Sequence, residues 1–156
     1  MIKMTIVFDM DGTLGSLYTV PHWLEMLRAY DPTPYAEAEP MWDMDLLAQT
    51  LDTLRLKGVR ISICSWLSKQ PEKNFDREVR KAKKEWLKKY GFPYDDCHII
   101  SYGVNKWDYM RKFISDDETV YLIDDEAQNR LDFDKAVDPA KTDIVEWLAE
   151  LLESLE

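Results

Sequence analysis

The chain is expected to be α/β: an open, mostly parallel sheet in a three-layer sandwich, with helices on both faces. Short apolar runs alternate with longer amphipathic stretches, the pattern of strand–helix–strand units. Three of these runs end in polar residues: "TIVF" runs into Asp9, "ISIC" into Ser65, and "VYLI" into Asp124 and Asp125. Apolar runs without polar alternation fit strands covered on both sides.

Residues 4–8 (MTIVF) form the first expected strand. The segment 15–40 is too long for an ordinary strand-to-helix loop, so it is taken as a small insertion after that strand. Its "VPHWLEMLRAY" (20–30) carries Trp23, Leu24 and Leu27 at helical spacing. Residues 42–57 are expected as a helix with Trp42, Leu46, Leu47, Leu51 and Leu54 on one face, ended by Gly58. Strand 59–64 follows. Helix 76–90 comes next, with Val79, Ala82, Trp86, Leu87 and Tyr90, closed by Gly91. Strand 98–101, a helix over 105–114, strands 119–123 and 133–137, and an amphipathic helix over 143–155 complete the order. The length of 156 residues fits one domain, 1–156.

Composition narrows the class. A net charge of −10 suits sequence-independent nucleic-acid binding poorly, since that relies on basic surface. The charge is uneven: residues 69–89 hold nine Lys/Arg against four Asp/Glu. This reads as a solvated helix face or as a landing patch for a phosphorylated substrate. No apolar run approaches the ~20 residues of a membrane span, and the start has no signal-peptide pattern. Cys64 and Cys97 lack metal-ligand spacing, and Cys64 sits in an apolar run, which fits a reducing cytoplasm. His22 and His98 do not have the setting of metal ligands.

In an open α/β sheet, ligands bind beyond the carboxyl ends of the strands. Asp9, Asp11, Ser65, Asp124 and Asp125 are therefore expected to gather on one edge, with Lys106 at the start of the helix after the third strand. So many unpaired carboxylates repel one another, and a divalent cation relieves this. Carboxylates, a main-chain carbonyl and substrate phosphate oxygens are a ligand set for Mg²⁺. A hydroxyl and an ammonium suit the remaining phosphate oxygens. A Ca²⁺ loop begun at Asp9 is excluded, because its Gly and Glu positions hold Leu14 and Val20.

These residues form a set that resembles the haloacid dehalogenase-like (HAD) phosphohydrolase superfamily, in a small-cap form. "DMDGT" (9–13) matches its first motif, Ser65 its second, Lys106 its third and "IDDEAQN" (123–129) its fourth. The resemblance covers about residues 5–137 and implies a Rossmann-like sandwich. It implies that Asp9 is the nucleophile and Asp11 the general acid and then base. Asp9, the main-chain carbonyl of Asp11, and Asp124 would hold Mg²⁺, with Asp125 shaping the site. Ser65 and Lys106 would bind the phosphoryl oxygens, and Gly12 would allow the tight turn. An acid two residues after the nucleophile favours phosphate esters over carbon–halogen bonds. Lys112 is a distant second choice for the lysine, and Asn129 is a further candidate near the metal.

The resemblance also implies that the 15–40 insertion acts as a cap, here small, over an accessible site. Trp66, Trp23 and Tyr18 are candidates for touching the leaving group. "SICSW" (62–66) is similar to the 5'-nucleotidase branch, where an aromatic stacks on a base. The expected partner is a phosphorylated small molecule or the accessible end of a macromolecule. The alternative is a non-catalytic binding or regulatory module on the same fold.

Overall fold

The computed structural model describes residues 2–156. Five strands form one sheet: β1 (Met4–Phe8), β4 (Val59–Trp66), β5 (Asp96–Ile100), β6 (Thr119–Ile123) and β7 (Lys135–Val137). Their order is β5-β4-β1-β6-β7, and every neighbouring pair is parallel. Two further strands, β2 (Gly15–Ser16) and β3 (Glu39–Pro40), make a two-residue antiparallel ladder. The helices are α1 (Trp23–Arg28), α2 (Thr33–Glu37), α3 (Met44–Leu56), α4 (Lys73–Lys89), α5 (Lys106–Met110), α6 (Ala127–Leu131) and α7 (Ile144–Ser154).

β1 is central, which explains its unbroken apolar run. Ile6, Val7 and Phe8 are all fully buried, and side chains alternate between the faces of a strand. Ile6 and Phe8 join a core with Leu47, Leu51 and Leu54 of α3, Trp86 and Leu87 of α4, and Ile144 and Leu148 of α7. Val7 faces the other layer, with Cys64, Leu122, Met110 of α5 and Phe133. Helices thus cover both faces, giving the three-layer, Rossmann-like architecture expected from the alternation.

Local signals set the helix starts. Asp43 accepts a hydrogen bond from the Leu46 amide, Glu72 from the Asn74 and Phe75 amides, and Asp143 from the Val145 and Glu146 amides. Each satisfies main-chain donors that a helix start leaves free.

Several boundaries differ from the sequence expectation. Trp42 precedes α3, and Leu46 is 46% exposed. The buried stripe of α3 is Met44, Leu47, Leu51 and Leu54, and Leu46 lies about 100° around the helix from Leu47. β4 runs on to Trp66, because Ser65 and Trp66 still pair with Ile99 and Ile100 of β5. The expected helix at 105–114 is α5 followed by a 3₁₀ turn at Arg111–Phe113. The insertion holds two short helices rather than one. Both cysteines are free, and Cys64 is buried. No helix among the described residues is long and apolar enough to cross a membrane.

Leu51 is fully buried, whereas Leu56 of the same helix is 89% exposed. Leu51→Ala is expected to lower unfolding free energy by about 2–5 kcal/mol. Leu56→Ala should change it by less than about 0.5 kcal/mol. Urea denaturation of the two variants checks this, and equal losses would contradict the packing described.

Candidate active site at the carboxyl ends of the strands

The parallel register brings the acidic residues together. Phe8 pairs with Ile123 in β6, so Asp9 and Asp124 leave adjacent strands side by side. The Asp9 amide donates to the Ile123 carbonyl at 3.0 Å. One carboxylate oxygen from each of Asp9, Asp124 and Asp125 lies within 4.8 Å of the other two.

Lys106 binds this cluster from the first turn of α5, a helix started by the Asn105 side chain accepting from the Asp108 amide. Its Nζ donates to Asp9 Oδ1 at 2.9 Å and to Asp124 Oδ2 at 2.8 Å. The Lys106 and Asp124 side chains are each 1% exposed. Lys112, the second choice, lies exposed in the 3₁₀ turn, with its ammonium over the Tyr109 ring.

The remaining acceptors of Asp124 are also met. The Glu126 amide donates to its Oδ1, and Asn129 Nδ2 donates to its Oδ2 at 3.1 Å. Arg130 donates to its main-chain carbonyl at 2.9 Å. Thr13, inside the first motif, donates to Asp9 Oδ2 and accepts from the Asp125 amide, both at 3.2 Å. Nothing in the sequence singles out Thr13, Arg130 or Lys83 for these contacts.

Gly12 makes the turn after β1. Its φ is +76°, and a Cβ there would lie 2.2 Å from Asp125 Oδ2. Both the backbone angle and the close approach therefore require glycine.

Asp9 and Asp11 both line the cavity but are held by different lysines. Asp9 meets Lys106, whereas Asp11 Oδ2 accepts from Lys83 Nζ of α4 at 2.8 Å. The Asp11 carboxylate is therefore outside the acidic cluster, and Asp125 is in it. Ser65 is fully buried, and its hydroxyl also accepts from Lys83, at 2.7 Å. His98 is held by Asp96 and Tyr109, as a structural side chain.

Above the cluster lies a cavity of about 390 Å³. Asp9, Asp11, Lys106, Asp124, Asp125 and Asn129 contribute to its polar part. Tyr18, Trp23, Leu24, Leu27 and Tyr35 of the insertion line it too, as do Trp66 and Tyr102. Trp66 packs against Tyr102 with ring centroids 5.0 Å apart, and Lys106 Nζ stands 5.3 Å from the Trp66 ring. The three aromatics named from the sequence thus share a cavity with the acidic cluster.

Electrostatics follow from three acids around one ammonium. Burial, reinforced by the Asp9 carboxylate, pushes Asp125 up to about 8. Burial and Asp9 raise Asp124 to about 6, against the opposing pull of Lys106. Burial also raises Asp11, although Lys83 works against it. For Lys106, burial disfavours the charge, but Asp9 and Asp124 outweigh it and raise its pKa above the ordinary lysine value. The donor set fits a hard divalent cation: clustered carboxylate oxygens whose charge one lysine does not balance.

No family model and no curated protein matches the chain. Solved structures do. Two structures of the Pnkp1/Rnl/Hen1 complex, one described as an RNA repair complex, each contain a chain similar to this one over 88% of its length. Their TM-scores are 0.60 and 0.59 at 18% identity. The likeness is one of fold. A D,D-heptose 1,7-bisphosphate phosphatase from Burkholderia thailandensis matches 81% of the chain with a TM-score of 0.50 at 13% identity. The chain spans 42% and 46% of the two complex chains and 69% of the heptose phosphatase.

The raised acids give a pH-dependent stability in chelator. Asp125 and Asp124 are pushed from the ordinary 3.8 of the unfolded chain up to about 8 and about 6 in the fold. In the folded state these two groups therefore bind more protons over that window, and their contribution to stability falls as pH rises from about 4 to about 8. Asp125→Asn should flatten the fall between about pH 6 and 8. Melting temperatures of both proteins across that range check it, and identical slopes would contradict it.

Proposed function

We propose that the chain is a Mg²⁺-dependent phosphomonoesterase of the HAD type that works through an aspartyl-phosphate. The observation that carries this reading is the Asp9 carboxylate within 4.8 Å of Asp124 and Asp125, bridged to Asp124 by Lys106, on an aromatic-lined cavity. The likeness to a sugar-bisphosphate phosphatase and to chains of an RNA repair complex supports it at the level of fold.

Asp9 attacks phosphorus, and Lys106 offsets the charge that develops on the phosphoryl oxygens. Asp11 gives a proton to the departing ester oxygen and then takes one from the water that cleaves the aspartyl-phosphate. Ser65, expected from the sequence to bind a phosphoryl oxygen, is instead fully buried behind the cavity with its hydroxyl on Lys83, so no phosphate contact is given to it here. Asp9, Asp124 and the main-chain carbonyl of Asp11 would hold Mg²⁺, with Asp125 beside them. When bound, the cation neutralises carboxylate and phosphate charge.

In this reading residues 1–156 act as one catalytic domain, and residues 15–40 are a small cap that supplies one wall of the cavity. Tyr18, Trp23, Trp66 and Tyr102 suit a flat leaving group, as in a nucleotide or the phosphorylated end of a nucleic acid. A cytoplasmic setting agrees with the two free thiols.

Release of phosphate from p-nitrophenyl phosphate and from a panel of nucleotides tests the function. Wild type with Mg²⁺ should turn over, and chelator should stop it. Asp9→Asn should lose at least about 10³-fold, since removal of a nucleophile leaves only residual catalysis. Mg²⁺ should also raise the melting temperature of wild type more than that of Asp124→Asn. Turnover surviving in Asp9→Asn would contradict the nucleophile assignment. Absence of turnover on every ester would favour the non-catalytic binding module.

A further inference from the structure

Lys83 lies on the buried face of α4, one turn after Val79 and one before Leu87. Its side chain is 1% exposed. An ammonium at such a position is costly unless its charge and protons are matched. All three protons are matched. Nζ donates to Asp11 Oδ2 at 2.8 Å, to Ser65 Oγ at 2.7 Å and to the Trp66 carbonyl at 2.6 Å. The Tyr35 ring of the insertion lies 4.8 Å away.

With its protons committed, Lys83 has none left for a phosphoryl oxygen, and it stands behind the cavity rather than on its surface. Among the described residues it is the only hydrogen-bond partner of the Asp11 carboxylate. Asp11 sits on the turn after β1, with its side chain 22% exposed, whereas Asp9 and Asp124 are tied by Lys106. Asp11 lines the cavity. With Oδ2 engaged, Oδ1 is the oxygen left to face the reacting ester.

We propose that Lys83 is a positioning residue for the acid–base step: its ammonium clamps Asp11 Oδ2 to the Ser65–Trp66 end of β4, so that Oδ1 meets the leaving-group oxygen. The proposal rests on the phosphatase reading above. In the step it serves, Asp9 forms the new bond to phosphorus as the ester P–O bond breaks, and the proton of Asp11 passes to the departing oxygen. The resulting carboxylate then takes a proton from the attacking water, whose oxygen bonds to phosphorus as the aspartyl-phosphate opens.

A clamp on the acid has a signature that a merely structural lysine lacks. p-Nitrophenolate leaves without needing a proton, whereas an alkoxide needs one. Lys83→Met should therefore lower kcat/KM, which reports the transfer to Asp9 and not the later hydrolysis common to both esters, about 10²-fold on an alkyl ester such as β-glycerophosphate, and less than about tenfold on p-nitrophenyl phosphate. In the Asp11→Asn background, adding Lys83→Met should cost no more than about threefold on the alkyl ester, because residues acting as one unit are non-additive. The double variant removes both members of the buried ion pair and leaves neither charge unpaired, so its comparison with Asp11→Asn decides the matter if Lys83→Met does not fold.

Equal losses of kcat/KM on the two esters, or a full further loss in the Asp11→Asn background, would overturn the proposal and leave the phosphatase reading intact. A wild type indistinguishable from Asp9→Asn on both esters would overturn both.

Discussion

One ammonium group holds the candidate site in register. Lys106 Nζ stands between Asp9 and Asp124, within 2.9 Å of each, in a place that water barely reaches. Two carboxylates leaving adjacent parallel strands are forced close by the strand spacing of ~4.8 Å. In a buried setting their repulsion would either protonate one or splay the strand ends. The lysine lets both remain where the sheet puts them. The third acid, Asp125, has no such ammonium in contact among the described residues, and burial and Asp9 push it further up than Asp124.

A second lysine does the corresponding work on the other side. Lys83 engages Asp11, so the two aspartates of the first motif face separate ammonium groups from separate helices. This divides the labour that the chemistry requires. In the proposed reaction Asp9 must stay ionised next to phosphorus, whereas Asp11 must carry a proton in and out. The insertion contributes to both. Tyr35 lies against Lys83, and Tyr18 and Trp23 form part of the wall through which a leaving group would enter and depart. The insertion is fixed by packing of Leu17, Leu27 and Tyr35 with Phe75, Val79 and Ala82 of α4, and by the Trp86 indole donating to the Ala38 carbonyl.

Much of this was legible because strand ends are marked in sequence. An apolar run that stops at an aspartate names both the strand and the place where the sheet meets solvent, and Asp9 and Asp124 lie where that logic puts them. Lys106 was legible through its place at a helix start. Lys83 was not: it is one of nine cations between residues 69 and 89, and charge counting treats them alike. Its signal was positional, since it falls between Val79 and Leu87 on the stripe that the periodicity already assigned to the core. The continuation of β4 through Ser65 and Trp66 was hidden because a polar serine ends an apolar run even where the ladder with β5 goes on. The helices of the insertion are five or six residues long, too short to set a period.

The central claim is that Asp9 attacks phosphorus. A single turnover in water enriched in heavy oxygen, with enzyme in excess over an ester found to be a substrate, tests it directly. Hydrolysis of an aspartyl-phosphate at phosphorus places the heavy oxygen in the released phosphate. The carboxylate of the peptide carrying Asp9 stays unlabelled, and acid quenching part-way through the turnover should recover that peptide with a phosphoryl group on Asp9. Phosphate released with no phosphoryl-Asp9 peptide at any time, or with the phosphoryl group on another residue, would contradict the account.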